Sequence, residues 1–264
     1  GLATTLGVIF GAPLFGIANN IEPENPLRNR KRLVTKPARI VIYCFGVAGG
    51  MLAFVLLGLL TGLSTGLPRF GAHHAIGVDQ WKWFLPLLAM GIIFALYYLS
   101  VEKITHILGE KLSSYPVISA LIAGVCVAFA GTFFPLSMFP GEQQLDPLIE
   151  SWQDGSPQIM ILSAIIKLAL VSVCINFGWK GGSIFPIIFS GALLGYTFAM
   201  IVGMDGAFAV AILTASLYAY SMRKPVTVIM VLLLCFPVTY IIPIAVSAFI
   251  AGNIPSPFTH KDEA

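Results

Sequence analysis

The residues best suited to chemistry in this sequence lie in one short stretch, Gly178-Trp-Lys-Gly-Gly-Ser-Ile-Phe-Pro186, between two long apolar runs. Glycines such as Gly181 and Gly182 let a backbone approach a ligand and take turns that other residues resist. Pro186 fits the first turn of a helix, where its missing N–H is no loss. The run that follows, "IIFSGALLGYTFAMIV", predicts a long apolar helix. The N–H groups of Gly182, Ser183, Ile184 and Phe185 should then point out of a helix N-terminus near the membrane interior. Such an end carries roughly half a positive charge together with unpaired donors, which suits an anion. Partial charges hold an anion without trapping it, the compromise that conduction requires. A plain Gly–Pro turn between two membrane helices accounts for the same residues about as well.

Two lysines add full charges. Lys167 lies mid-segment in "ILSAIIKLALVSV", and intramembrane charges are rare, costly and usually face a bundle interior. It either lends positive potential to an anion path, or snorkels, or partners a buried carbonyl. Lys180, inside the glycine-rich loop, has the better claim to an electrostatic role over simple solvation. His73–His74 read as solvent-facing, because a metal site would need more ligands nearby. Glu102 and His106 stand one helical turn apart at a membrane edge and suggest a surface contact. The spans hold no carboxylate pair, Ser–His arrangement or metal-ligand set at midplane depth, so an intramembrane enzyme is set aside and no cofactor is expected.

These residues need a membrane scaffold. Of the 264 residues, 57% are hydrophobic and only 10% charged. Mean hydropathy is +0.89. Soluble domains carry about a quarter charged residues, so a water-facing shell cannot be built here. Long continuous apolar runs, rather than alternating ones, exclude a β-barrel. The net charge of +3 says little about partners. The basic run 28–39 could be read as a nucleic-acid or lipid patch, but a positive-inside bias is enough to explain it, so no nucleic-acid partner is expected. Cys44, Cys126, Cys174 and Cys235 lie in apolar segments without metal-type spacing and read as buried thiols. The opening residues do not read as a signal peptide, and the chain reads as beginning inside a membrane helix.

About 20 apolar residues span a bilayer, which predicts spans near 38–62, 81–101, 115–136 and 157–178. Shorter or broken pieces fall near 2–21, 184–203, 206–221, 225–240 and 241–254. Irregular backbone at membrane depth survives only where protein or a watery cavity satisfies it, so paired interruptions point to a transporter-like site. Arg28, Arg30, Lys31, Arg32, Lys36 and Arg39 crowd one loop; Lys103, Lys111 and Arg223–Lys224 can face the same side. The loop 137–156 has four acids and no Lys or Arg. The positive-inside bias places the basic loops in the cytoplasm. A faint echo between "TTLGVIFGAPLFGI" and "ASLYAYSMRKPVTVI" is what inverted repeats leave behind.

The segment "GWKGGSIFPIIFSGALLG", preceded by "IIKLALVSVCINF", resembles the second-repeat anion-filter motif of the CLC chloride channel and proton–chloride antiporter family. "GLATTLGVIFGAPLFGI" looks like that family's helix pair after its glutamate-bearing filter segment, and "AVAILTASLYAYSMRKPVTVIMVLLL" like its late, dimer-forming helices. The resemblance runs in order over nearly the whole chain. It implies an all-α polytopic membrane protein, an inverted-repeat helical bundle with broken helices, forming a homodimer with one pore per subunit. A single transmembrane domain over 1–264 would comprise the tail of the first repeat, about 1–62, and the second repeat, about 81–258.

The resemblance further implies transport of chloride or another halide across the cell membrane, by channel or proton-coupled exchange. The amides of Ser183 and Ile184 would be the central donors, within a site of Gly181, Gly182, Ser183, Ile184, Phe185 and Pro186 supported by Lys180 and Lys167. Ile184 stands where the family commonly has phenylalanine, and the "KGG" spelling is closer to divergent bacterial members, fluoride-handling ones included. The family's serine-bearing and glutamate-bearing first-repeat motifs are expected before Gly1. Glu22 aligns near an internal acidic pair, with Pro23 at the position linked to proton transfer, and Phe258 stands in for a pore tyrosine. The alternatives are a secondary transporter of another small anion and a truncated, non-conducting fragment.

Overall fold

The computed structural model describes residues 70–71, 76–138 and 140–258, together with a set of helical positions between 41 and 59. The basic run Arg28–Arg39, Glu22, Pro23, the first apolar piece, Arg69 and His73–His74 lie outside the described residues.

Among the described residues the regular structure is all helical. A 3-10 turn, Val78–Trp83, leads into α1 (Phe84–Lys111). Then come α2 (Pro116–Phe133), α3 (Glu142–Ser151) and α4 (Pro157–Asn176). The chain continues with α5 (Ile184–Val202), α6 (Gly206–Met222), α7 (Pro225–Cys235) and α8 (Ile241–Asn253). Pro116, Pro157 and Pro225 each open a helix. There the fixed φ suits the first turn and the missing N–H costs nothing.

Among the described residues, four elements are long and apolar enough to cross a membrane: Val78–Lys111, Pro116–Phe133, Pro157–Asn176 and Ile184–Val202. They differ in where they sit. Only 17% of the α2 window is buried, against 72% for α5, so α2 presents its sides outward while α5 runs inside the bundle. The later helices are shorter. At ~1.5 Å per residue, the 11 residues of α7 reach about 16 Å, half the thickness of a bilayer core. Helices this short cross only in combination.

The centre of the bundle is α6, in which every residue from Gly206 to Tyr220 is buried. Small residues let its neighbours close in. A Cβ built on Gly91 of α1 would lie 1.9 Å from Ser216 Oγ, and one on Gly195 of α5 would lie 2.6 Å from Val210 Cα. Such contacts between small residues hold membrane helices together where no hydrophobic difference between lipid and core exists. Gly203, at φ 72, ends α5, and Asp205 caps α6 by accepting from the Phe208 N–H at 2.6 Å.

The structure corrects three local expectations. The span expected near 81–101 does not stop at 101. It continues as helix to Lys111, because no proline intervenes between residue 101 and Pro116, so Lys103 lies within a helix. His106 Nδ1 lies 3.8 Å from Glu110 Oε1, one turn further along the helix. The acidic stretch 137–156 is not all loop, since it forms α3. Of the four cysteines only Cys235 is buried, and Cys44 is exposed.

The "RKP" break is a helix end. Arg223, at φ 56, closes α6, donates to the Gly252 carbonyl at 3.2 Å and to the Ile254 carbonyl, and lies 4.6 Å over the Tyr220 ring. It thereby satisfies carbonyls at the end of α8. Lys224 is buried beside it, with 3% of its surface exposed.

Candidate functional site

The glycine-rich stretch forms the break between α4 and α5. α4 ends at Asn176, and Gly178 turns the chain with φ +95, the left-handed region that glycine enters freely. The Trp179 N–H returns to the Cys174 carbonyl at 2.9 Å, and its indole Nε1 donates to the Ala120 carbonyl of α2 at 3.0 Å. The turn is therefore pinned on two sides.

Beyond Trp179 the environment changes along the stretch. Lys180, Gly181 and Gly182 are exposed, Ser183 to Phe185 are half-buried, and Pro186 to Thr197 are buried. Gly181 and Gly182 do not have positive φ, and a Cβ built on either meets nothing within 4 Å. Neither packing nor backbone geometry requires glycine at these two positions. Their bareness leaves the approach to α5 open.

Ser183 is the N-cap of α5, with φ −87 and ψ −10, and its carbonyl accepts from the Ile187 N–H at 3.1 Å. Its side chain makes no cap hydrogen bond. Pro186 occupies the third helical position and brings no N–H. The first turn of α5 thus presents its donors and the positive end of the helix dipole without the side-chain cap that usually answers them.

Polar side chains also lie within the neighbouring spans. Tyr98 of α1 is buried, and Ser172 of α4, also buried, donates its hydroxyl to the Leu168 carbonyl at 3.4 Å. Asn176 Nδ2 donates to Thr105 Oγ1 at 2.8 Å and to the Ser172 carbonyl at 2.9 Å. Tyr218 of α6 is fully buried, and its hydroxyl has no hydrogen-bond partner among the described residues. Sequence reading passed over Tyr98, Ser172 and Tyr218. The available signal was a polar group within an apolar span, which needs a partner somewhere.

Lys167 and Phe258, the other candidate residues, have contacts of their own. Lys167, 1% exposed, donates to the carbonyls of Leu136 and Met138, each at 2.9 Å, and lies 4.5 Å over the Phe189 ring of α5. Of the roles the sequence left open, partner to buried carbonyls is visible in the geometry. Phe258 packs on α1, its ring 5.9 Å from Lys103 Nζ. Among the described residues, no group of three His, Cys, Asp or Glu side chains is arranged to hold a metal ion.

Known proteins share this architecture. The ion-transport protein YfeO of Escherichia fergusonii is 35% identical over 207 residues, covering 73% of this chain and 44% of that protein. YfeO of Escherichia coli O17:K52:H18 is 25% identical over 207 residues, with the same coverage. A CLC-type fluoride/proton antiporter superposes with TM-score 0.74 at 16% identity, over 98% of this chain and 62% of that one. A slow cyanobacterial Cl−/H+ antiporter gives TM-score 0.67 at 18% identity, over 94% and 58%. The chain spans less than half the length of these curated relatives and about three fifths of these solved structures. The voltage gated chloride channel family model matches residues 1–255. With that match over nearly its whole length and the fold of the antiporters, the chain is a multi-pass membrane protein that belongs to the CLC, or voltage gated chloride channel, family.

Proposed function

We propose that the chain carries a small anion, chloride or another halide, past the N-terminus of α5 in a CLC-type pathway. The observation that carries this reading is the uncapped start of α5. A helix 72% buried over its spanning window begins at Ser183, whose side chain makes no cap hydrogen bond, next to a bare glycine pair. The related proteins are named as ion-transport, fluoride/proton and Cl−/H+ proteins, which agrees with it. In this reading the amides of Ser183 and Ile184 are the principal donors, and Lys180 raises the local potential from the exposed side of the loop. A second copy of the chain packs against the late helices, where Ile242, Val246 and Phe249 form an exposed apolar face on α8.

The test is chloride and fluoride efflux from liposomes containing the chain, wild type beside Gly182→Leu. A side chain at Gly182 meets open space, so the variant should fold and the bulk should fall only on the approach to α5. Efflux from wild type that drops at least tenfold in the variant supports the proposal. Equal efflux from both, or none from folded, inserted wild type, overturns it.

A further inference from the structure

α2 is the least buried of the four spanning elements, and an open groove of about 700 Å³ runs along one side of it. Ala120, Gly124 and Ala128 fall one turn apart on the same face, so their small side chains leave its floor low. Leu121 and Val125 stand beside them as an apolar rim. The other wall is the Trp179 ring, brought over from the α4–α5 break and held by its indole bond to the Ala120 carbonyl at 3.0 Å. A Cβ on Gly124 would lie 3.6 Å from Trp179 Cζ2, so ring and floor stand one contact apart.

Length and charge limit what fits there. At ~1.5 Å per residue the groove is about 18 Å long from Pro116 to Ala128, close to the depth of one leaflet, half of a hydrocarbon core about 30 Å thick. A membrane-crossing partner helix would need the whole face, yet beyond Ala128 the exposed rings of Phe129 and Phe133 stand out from it, 4.8 Å apart. Lys180, next to Trp179, and Lys111, the last residue of α1, are both exposed. They share the end of the bundle at which α2 begins. Asn176, at the close of α4, donates to Thr105 of α1 at 2.8 Å, and a Cβ on Gly109 would lie 2.4 Å from the Asn176 carbonyl oxygen. Glu110, beside Lys111, has its carboxylate 3.8 Å from His106 Nδ1. The head of the groove is basic and its length is apolar.

We propose that this groove binds a phospholipid with a negatively charged headgroup, one acyl chain laid along α2 against the Trp179 ring and the phosphate set toward Lys111 and Lys180. An apolar trough one leaflet deep, with cations at its water-facing end, is complementary to both parts of such a molecule. Tryptophan is also the residue type that settles at headgroup level. The site lies on the outer face of α2 and does not depend on the anion reading of α5.

The experiment reads Trp179. The chain is reconstituted in phosphatidylcholine vesicles in which a rising fraction of either phosphatidylcholine or phosphatidylglycerol carries brominated acyl chains, which quench nearby tryptophan. Subtracting the quenching of Trp179→Phe from that of wild type isolates this residue, and size exclusion verifies each variant. Brominated phosphatidylglycerol should quench Trp179 at about a fivefold lower fraction than brominated phosphatidylcholine, the preference that one lysine at a charged headgroup gives. Lys111→Gln combined with Lys180→Gln should remove the preference. Gly124→Leu combined with Ala128→Leu, which fills the groove from the lipid side, should remove it as well. Ala128→Leu alone, at an exposed position, serves if that pair fails to insert. Equal quenching of wild type by the two lipids overturns the inference, and so does a preference that survives either kind of substitution. Trp179 shielded from both lipids, as a second protein helix on this face would leave it, overturns it too.

Discussion

Replacing Lys167 by methionine tests the reading of this buried cation as a structural pin. Methionine keeps the length and apolar stem but removes the ammonium. Two hydrogen bonds of 2.9 Å disappear, to the carbonyls of Leu136 and Met138, together with the contact to the Phe189 ring at 4.5 Å. Each buried carbonyl left unpaired costs about 1–3 kcal/mol. The cation–π contact adds up to about 2 kcal/mol when desolvated. Relief from burying a charge offsets part of this, and a net loss of about 2–4 kcal/mol remains. For a chain of this size that is a melting temperature lower by roughly 4–16 °C. Tryptophan fluorescence in detergent reads the transition. The turn after α2 should also become more open to protease, because Met138 packs on Gly131, whose added Cβ would lie 2.2 Å from its sulfur. A variant that melts within 2 °C of wild type would refute the reasoning. Lending potential to the anion path predicts a different signature, in which halide binding weakens by roughly tenfold for a charge about 10 Å away at an effective dielectric of 20. The expected outcome is the melting shift.

Other substitutions probe the scaffold. Gly195→Ala places a Cβ 2.6 Å from the Val210 backbone, so α5 and α6 must separate, and the variant should lose about 1–3 kcal/mol of stability by thermal melting. Asp205→Ala removes the α6 cap and its contact with the Tyr240 hydroxyl at 3.3 Å, and should cost about 1–2 kcal/mol. Combined with Tyr240→Phe the loss should fall short of the sum, since both remove one hydrogen bond, and full additivity would contradict the contact. The His106–Glu110 pair has side chains 57% and 69% exposed, so His106→Ala should leave the melting temperature unchanged.

What the local sequence decides proved readable here. Ser183-Ile-Phe-Pro186 marks the start of α5 because proline and a capping residue type act within one turn, and the structure starts the helix at Ile184. The extent of α1 was underestimated because charged residues at 102–111 resemble a loop, although none of them breaks a helix. Lys167 shows the limit most clearly. Its type and burial predict that it needs partners, but those partners lie 29 and 31 residues away along the chain, and only folding brings them near.

The sequence by itself determined that this chain is a membrane protein with broken helices, since hydrophobicity and helix-breaking residues act locally and add along the chain. The tertiary structure alone decided that α5 and α6 lie inside while α2 faces outward, and that Lys167 reaches the carbonyls of Leu136 and Met138. The physical reason is that lipid is as apolar as the protein core. A helix apolar on every side carries no stripe to mark its buried face, so packing of small residues against one another settles its position.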